Sequence, residues 1–192
     1  MKIFNYGILK RPLDFILSIV LIITLSPLLL VISLIIIFEG NPIIFIQKRI
    51  GQYNKTFYIF KFRTLTINAP KNIPTNQFTN LHDYVTPIGK FLRKTSFDEL
   101  PQLFNILIGD MSFIGPRPLL WNEFDLIKLR ALDKTNLVKP GLSGLAQIST
   151  SARENQSEKL RMDKIYVENF SLKQDIIIIM NTIYYLFNRF IN

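Results

Sequence analysis

The amino-acid sequence predicts a mainly helical α+β chain whose N-terminal segment is embedded in a membrane. The clearest observation is that residues 15–38 contain no charged residue. Two β-prone runs follow, joined by a polar turn that contains Gly51 and Asn54, and most later segments repeat apolar residues at helical spacing. Hydrophobic residues make up 48% of the 192 residues, which is high for a soluble protein. We therefore expect part of the surface to face lipid.

Charge and cysteine content narrow the classes of partner and chemistry. The net charge of +9 attracts phosphates, whether in nucleic acid, in anionic lipid headgroups or in a phosphorylated substrate. Lys and Arg are spread through several motifs rather than along one helix, so no nucleic-acid partner is expected. Because the chain has no cysteine, disulfides, zinc–thiolate sites and thiol nucleophiles are excluded.

Residues 15–38 are long enough to cross a bilayer. At 1.5 Å per residue, a helix of this length reaches about 36 Å, which exceeds the ~30 Å hydrocarbon core. The run is too long for a cleavable signal peptide, and no small-x-small cleavage site closes it.

Two topologies stay open for this segment. Ser26 and Pro27 lie in its middle, where a proline removes a backbone hydrogen bond and can kink or break a helix. Basic residues occur on both sides of the run, before it at Lys2, Lys10 and Arg11 and after it at Lys48, Arg49 and Lys55. A bent hairpin that enters and leaves on the cytoplasmic face accounts for both observations. A kinked single span with a basic cytoplasmic body accounts for them as well.

Residues 43–64 predict a β-hairpin, since two runs rich in Ile, Phe and Tyr flank the polar turn. Alternation in the second run places Lys61 and Arg63 on one face. Two cations that project together from a strand are either ordinary solvated surface or the floor of a phosphate site.

The stretch TSFDELPQLFN, residues 95–105, follows a short helix predicted over residues 86–94 and opens a second helix. Apolar residues at positions 100, 103, 104, 107 and 108 indicate one buried helical face, and Gly109 is expected to end the helix. Pro101 lacks an N–H group and must lie in the first turn. We therefore predict that Asp98 is the N-cap and Glu99 the first helical residue.

Three further helices are predicted over residues 121–132, 157–167 and 176–191. The last is apolar and aromatic, which suits a helix that lies in the membrane interface or packs on the core. The stretch KPGLSGLAQ, residues 139–147, is expected to pass close to a ligand or to another backbone. Arg117 stands between two prolines, so it is either an exposed arginine in a turn or a guanidinium held for a phosphate.

Acids at the start of a helix commonly do no more than cap it. Three features favour a chemical role for Asp98 and Glu99. Adjacent ionised carboxylates favour an oxygen-liganded divalent cation such as Mg²⁺. Arg93 and Lys94 upstream and Arg117 downstream supply cations for a phosphate. An aspartate at a helix N-terminus stays ionised near neutral pH, so carboxylate attack on phosphorus is a reasonable reaction class.

Four motifs resemble, in the same order, those of the bacterial sugar transferases, the monotopic phosphoglycosyl transferases. They are KFRTL (61–65), RKTSFDELPQLFNILIGDMSFIGPRPLL (93–120), KPGLSGLAQ (139–147) and DKIYVENFSLKQDI (163–176). With the N-terminal segment, the resemblance covers nearly the whole chain and implies the minimal form of the family, without extra spanning helices ahead of the catalytic region. The family usually has Met where this chain has Leu65.

The resemblance implies a monotopic architecture. Residues 1–40 would form a re-entrant membrane hairpin of helix, break and helix, with the break at Ser26-Pro27. Residues 41–192 would form a catalytic domain on the cytoplasmic face of the bacterial inner membrane, with a small β-hairpin and a C-terminal interfacial helix.

The resemblance also implies a two-step reaction. Asp98 would attack the β-phosphate of a UDP-sugar and release UMP, and a polyprenol (undecaprenyl) phosphate would then take the phosphosugar from the enzyme. Glu99 is expected to help bind Mg²⁺ together with Asp98 and to deprotonate the lipid phosphate. The expected phosphate-binding residues are Arg93 and Arg117, with Lys61, Arg63 and Gln147 as further substrate-binding candidates.

A second hypothesis belongs to a different class. A non-catalytic, membrane-anchored protein would use its basic face to dock anionic lipids or a partner. It predicts that Asp98 and Glu99 can be neutralised with little loss beyond a capping cost of about 1 kcal/mol.

Overall fold

The structure of the protein is a computed structural model that describes residues 2–69, 81–149, 152 and 155–191. Its architecture is the predicted mainly helical α+β arrangement with small sheets. The helices are α1 (Lys2–Phe38), α2 (Pro87–Thr95), α3 (Gln102–Ile108), α4 (Phe124–Leu132), α5 (Leu145–Ile148), α6 (Gln156–Glu168) and α7 (Leu172–Ile191). The strands are β1 (Ile44–Ile50), β2 (Thr56–Phe62), β3 (Ser112–Ile114), β4 (Leu119–Leu120) and β5 (Gly141–Ser143).

The N-terminal segment is one helix, so the predicted division into two helices at Ser26-Pro27 is wrong. Helix α1 is continuous from Lys2 to Phe38 with Pro27 inside it. Pro27 has no N–H group to give to the carbonyl of Ile23, four residues earlier. The Ser26 hydroxyl donates to that carbonyl instead, at 2.8 Å. Because this polar group finds a partner, the helix continues through the proline.

Helix α1 contacts the rest of the molecule over most of its length. Near its start, Lys10 forms an ion pair with Asp175 of α7, and one turn later the Asp14 carboxylate accepts the N–H of Phe113. Near its end, Ile36 is fully buried. The helix therefore lies along the body rather than projecting away from it.

The opposite side of α1 is apolar and uncovered. Within Tyr6–Phe38, an 18-residue window has a mean hydropathy of 3.0, and the helix is long and apolar enough to cross a membrane by length and composition. Helix α7 shows a similar face, on which Met180, Ile183, Tyr184 and Phe187 are exposed, while Ile178 on its other side is fully buried. The sequence left open whether the C-terminal helix packs on the core or lies in the membrane interface. Helix α7 has features of both, because one side packs on the core and the other presents an apolar outer face.

The predicted hairpin is confirmed. Strands β1 and β2 pair antiparallel, from Ile44 opposite Phe62 to Ile50 opposite Thr56, and β4 adds to the other edge of β1. On the face of β2 that carries Lys61, Phe57 and Ile59 are buried. This face points into the molecule, which excludes the solvated-surface alternative for Lys61.

A second, parallel sheet joins β3 to β5, with Ser112 opposite Gly141. Glycines allow the two chains to come this close. A Cβ atom on Gly115 would lie 2.3 Å from the Lys139 carbonyl oxygen, and one on Gly141 would lie 2.1 Å from the Gly115 nitrogen. The close approach predicted for residues 139–147 is therefore confirmed, and the neighbour is another backbone.

Candidate active site

The two adjacent acids lie in a 3₁₀ turn, Phe97–Glu99, and not at the start of an α-helix. Helix α3 begins only at Gln102, with Pro101 as its N-cap and no capping bond from a side chain. The predicted capping role of Asp98 is therefore wrong. The reason is that Pro101 cannot donate to Phe97, so the chain closes a tighter turn in which the Leu100 N–H donates to the Phe97 carbonyl at 3.2 Å.

Asn105 attaches this segment to the hairpin. It is fully buried in α3, and its carboxamide contacts the free edge of β2. Its Oδ1 accepts the N–H of Phe60 at 3.0 Å, and its Nδ2 donates to the Tyr58 carbonyl at 2.7 Å. These two bonds hold the strand residue before Lys61 in a defined place, and so bring Lys61 beside the acid turn.

Glu99 is held by two cations. Its Oε1 accepts from Lys61 Nζ at 2.6 Å and from an Arg117 guanidinium nitrogen at 3.2 Å. Burial alone raises the pKa of Glu99, but the charges and hydrogen bonds of Lys61 and Arg117 outweigh it and lower the pKa to about 2. Glu99 is therefore a firmly ionised anchor for both cations.

Asp98 has a different electrostatic environment. Burial raises its pKa above the ordinary value, and the neighbouring charge of Glu99 raises it further, while Lys61, Arg93 and Arg117 act in the opposite direction. The two carboxylates thus stand side by side, but only the charge of Glu99 is strongly stabilised.

A buried ion pair supports the segment that carries Arg117. Arg130 of α4 donates to the Arg117 carbonyl at 2.8 Å and to Asp163 of α6 at 2.5 Å. The Arg130 and Asp163 side chains are only 8% and 2% exposed, respectively. Arg49 of β1 donates to the next carbonyl, that of Pro118, at 3.2 Å. Arg117 is therefore positioned by two arginines as well as by its flanking prolines.

The remaining predicted site residues also border the site. The Arg93 Nε atom donates to Thr64 Oγ1 at 2.9 Å; burial lowers the pKa of Arg93 and the charge of Asp98 raises it. Arg63 donates to the Pro42 carbonyl at 3.2 Å, and Gln147 donates to the Leu142 carbonyl at 3.1 Å. The structure thus brings Lys61, Arg93 and Arg117 to the acids and leaves Arg63 and Gln147 on the walls.

The seven residues predicted to be catalytic or substrate-binding all line one cavity of about 970 Å³. They are Lys61, Arg63, Arg93, Asp98, Glu99, Arg117 and Gln147. Its other wall is apolar and comes from the two helices with uncovered apolar faces. The lining residues from α1 are Leu17 and Leu21, and those from α7 include Ile179, Ile183 and Leu186. The cavity can therefore accommodate phosphates at the acid turn and a hydrocarbon chain along the helices.

Three cavity cations were not predicted as site residues. Arg49 and Lys159 are buried enough that desolvation, aided by nearby like charges, lowers the pKa of Arg49 to about 10 and lowers that of Lys159. Arg189 reaches the cavity from α7. Each comes from a different element, and no local pattern in the sequence connects these elements to the acid turn.

The donor set suits Mg²⁺ only in part. Within the described residues no group of three or more His, Cys, Asp or Glu side chains could by itself hold a metal ion. Asp98 and Glu99 supply two adjacent carboxylates on the cavity wall, and Mg²⁺ is commonly bound by one or two carboxylates together with substrate phosphates. The residues therefore fit a metal that is completed by the substrate.

Comparison with known proteins identifies the family. The family of bacterial sugar transferases matches residues 5–189. The chain therefore belongs to the bacterial sugar transferase family. Among its relatives, the undecaprenyl-phosphate galactose phosphotransferase of Salmonella typhimurium is 35% identical over 91% of this chain and 39% of its own length. The UDP-glucose:undecaprenyl-phosphate glucose-1-phosphate transferase of Klebsiella pneumoniae is 39% identical over 96% of this chain and 41% of its own.

Relatives of this bacterial sugar transferase differ in length. The chain spans about two fifths of the two proteins just named. It matches 84% of the exopolysaccharide production protein ExoY of Sinorhizobium fredii, at 38% identity over 92% of this chain. The aligned region contains the acid turn, the hairpin and the Arg117 segment.

Proposed function

We propose that this family member transfers a sugar-1-phosphate from a UDP-sugar to a polyprenol phosphate such as undecaprenyl phosphate, and releases UMP. The observation that carries the proposal is the pair of electrostatically unequal carboxylates in a cationic cavity with an apolar wall. The names of the relatives, which act on undecaprenyl phosphate, support it. The product would be the first membrane-bound intermediate of a bacterial glycan.

In the first step, an Asp98 carboxylate oxygen attacks the β-phosphorus of the UDP-sugar. A bond forms between that oxygen and phosphorus, and the bond from phosphorus to the oxygen bridging the two phosphates breaks. UMP leaves with the bridging oxygen and its electron pair. A phosphosugar then remains on Asp98 as an acyl phosphodiester.

The unequal environments of the acids favour Asp98 over Glu99 as the nucleophile. The electron pairs of Glu99 are engaged by Lys61 and Arg117, and a pKa of about 2 marks a weakly basic oxygen. Burial makes the charge of Asp98 less stable, so its oxygen gains more from forming a bond.

In the second step, an oxygen of the acceptor phosphate attacks the same phosphorus. The bond from phosphorus to Asp98 breaks, the carboxylate is regenerated, and a polyprenol diphosphate sugar is released. The expected role of Glu99 as a base toward the acceptor does not suit a group with a pKa of about 2. We assign Glu99 to holding Lys61 and Arg117 in place for the transferred phosphoryl group.

Mg²⁺ would be held by Asp98 and Glu99 with the donor diphosphate, where it would neutralise charge on the phosphates. Arg93, Arg117 and Lys61 would bind the phosphate oxygens. Arg63 and Gln147 would contact more distant parts of the substrates.

We further propose that both ends of α1 lie on the cytoplasmic side and that the helix is embedded in the membrane without crossing it, so that the chain is monotopic. At 1.5 Å per residue the 33 residues of Tyr6–Phe38 extend about 50 Å, well beyond a ~30 Å core. The body contacts α1 from Lys10 to Ile36, so a helix standing across the bilayer would draw polar body residues into it.

The topology can be tested with single cysteines, because the chain has none of its own. Asn5→Cys and Tyr53→Cys place a thiol on either side of the apolar run. In intact spheroplasts, a membrane-impermeant thiol reagent should label neither variant, and in inside-out vesicles it should label both. Labelling of Asn5→Cys from outside would contradict the one-sided arrangement.

The activity is tested with purified protein, Mg²⁺, a panel of UDP-sugars and undecaprenyl phosphate in neutral detergent. We expect UMP release and a lipid-linked sugar phosphate with one or more donors, and loss of both in Asp98→Asn. UMP release that survives in Asp98→Asn would remove Asp98 from the mechanism. No turnover with any donor, combined with vesicle binding that is unchanged by Asp98→Asn, would favour the non-catalytic docking hypothesis.

A further inference from the structure

In the proposed two-step reaction, the β-phosphate of the donor and the phosphate of the lipid acceptor must both reach the site beside Asp98, and they approach it from different directions. The donor is a soluble nucleotide, whereas the acceptor phosphate is attached to a hydrocarbon chain that stays in the membrane. The acceptor phosphate must therefore enter from the side of the cavity that the apolar helices border. A cation on that side would contact the acceptor and not the nucleotide.

Two groups among the cavity cations differ in their neighbours. Arg49 and Lys159 both interact electrostatically with Arg117 and Glu123. Arg93 has Asp98 as its charged neighbour, and its backbone carbonyl accepts a hydrogen bond from Arg189 of α7 at 3.0 Å. The second group therefore lies between the acid turn and the apolar helix.

Arg189 occupies the boundary between the membrane-facing surface and the site. Phe187, two residues earlier, is 63% exposed on the apolar face of α7, while Arg189 lines the cavity. A second nitrogen of Arg189 lies 3.5 Å from the hydroxyl of Ser96, two residues before Asp98. A guanidinium has five N–H donors, so these contacts orient Arg189 and leave donors for a phosphate.

We propose that Arg189, together with Arg93, forms the subsite for the phosphomonoester of the lipid acceptor. This inference rests on the proposed function and deepens it. The Arg93 carbonyl and the Ser96 hydroxyl hold the guanidinium of Arg189 at the membrane edge of the cavity. The polyprenol chain runs along the apolar residues of α1 and α7 that line the same cavity.

The two half-reactions separate donor from acceptor binding. In neutral detergent micelles, UMP release in a single turnover without acceptor reports the first step, and transfer to undecaprenyl phosphate reports the second. We expect Arg189→Gln to leave the first step unchanged and to raise the KM for undecaprenyl phosphate roughly tenfold or more, as for loss of a charged hydrogen bond. Arg189→Lys keeps the positive charge but lacks the paired N–H donors of the guanidinium, so it should show only part of this loss.

Lys173→Gln is the matched control, because it removes one exposed cation from the first turn of the same helix. It should change neither step. Inorganic phosphate at increasing concentration should inhibit the second step of the wild type more than that of Arg189→Gln. Binding to phosphatidylglycerol vesicles tests whether Arg189 binds bulk lipid headgroups instead of the acceptor. We expect the wild type and Arg189→Gln to bind these vesicles equally, and weaker binding of Arg189→Gln would contradict the inference.

The outcomes distinguish the two proposals. If the wild type completes both steps and Arg189→Gln has an unchanged KM for the acceptor, the inference is wrong and the proposed function stands. Equal losses in both half-reactions, with a lowered melting temperature, would assign Arg189 a structural role and overturn the inference. If the wild type releases no UMP from any UDP-sugar, the proposed function itself fails.

Discussion

Replacement of Glu99 by Gln should produce a stability loss that depends on pH in a defined window. The folded-state pKa of about 2 lies below the ordinary value of 4.5. A carboxyl whose pKa is lowered by folding stabilises the folded state above its unfolded pKa, and this contribution is lost as the pH falls through the folded pKa. The contribution of Glu99 is therefore complete above about pH 4.5 and disappears toward about pH 2.

The size of the effect follows from the same shift. A difference of about 2.5 pKa units corresponds to about 3 kcal/mol of unfolding free energy. The Glu99 side chain is 19% exposed, so solvent screens its ion pairs only modestly. The free energies of unfolding of wild type and Glu99→Gln should differ by about 3 kcal/mol near pH 6 and converge near pH 2.

Chemical denaturation in nonionic detergent measures this difference, with the fluorescence of the single tryptophan, Trp121, as the probe. Glu168→Gln is the control, because it neutralises an exposed carboxylate at the last residue of α6. Its stability curve should follow the wild type at every pH. A constant offset between wild type and Glu99→Gln from pH 6 to pH 2 would refute the assignment of the lowered pKa to Lys61 and Arg117.

Other substitutions test the contacts around the site. Asp163→Asn leaves the buried Arg130 guanidinium without its ionised partner and should cost about 3–5 kcal/mol in denaturation, with slower UMP release. Asn105→Ala leaves two backbone groups of β2 unpaired and should cost about 2–4 kcal/mol, whereas Asn169→Ala, which removes an exposed bond, should change the denaturation midpoint little. Gly115→Ala puts a Cβ atom 2.3 Å from a backbone oxygen and should abolish the folded monodisperse protein on size exclusion in detergent, while Gly7→Ala, with nothing within 4 Å, should behave as wild type.

The elements that local patterns determine were predictable from the sequence. The hairpin has two β-prone runs and a polar turn, and the predicted helices over 86–94 and 157–167 correspond to Pro87–Thr95 and Gln156–Glu168. Helix α4 begins at Phe124, three residues later than predicted, because Leu119 and Leu120 join the sheet as β4. Strands β3, β4 and β5 have only two or three residues, which is too few to show an alternating pattern. Their pairing partners are also distant in sequence, so no local signal predicts them.

The site was predictable in its composition but not in its construction. The residue types alone made the two acids and the three nearby cations candidates for the site, and the family resemblance assigned a role to each. The tight turn at Phe97–Glu99 depends on how Pro101 alters the hydrogen bonding of the residues before it. The spacing of residues in the sequence does not distinguish this 3₁₀ turn from the start of an α-helix. The support given to Arg117 by Arg130 and Asp163 joins residues 33 positions apart, so it appears only when α4 and α6 pack together.

Covalent catalysis by Asp98 can be tested by intact-protein mass spectrometry after brief exposure to UDP-sugars without a lipid acceptor. We expect a mass gain equal to one phosphosugar, located on the peptide that contains Asp98. Undecaprenyl phosphate should remove this mass, and Asp98→Asn should never acquire it. Full transfer to the lipid with no covalent adduct on the enzyme at any time, or an adduct located on Glu99, would contradict covalent catalysis by Asp98.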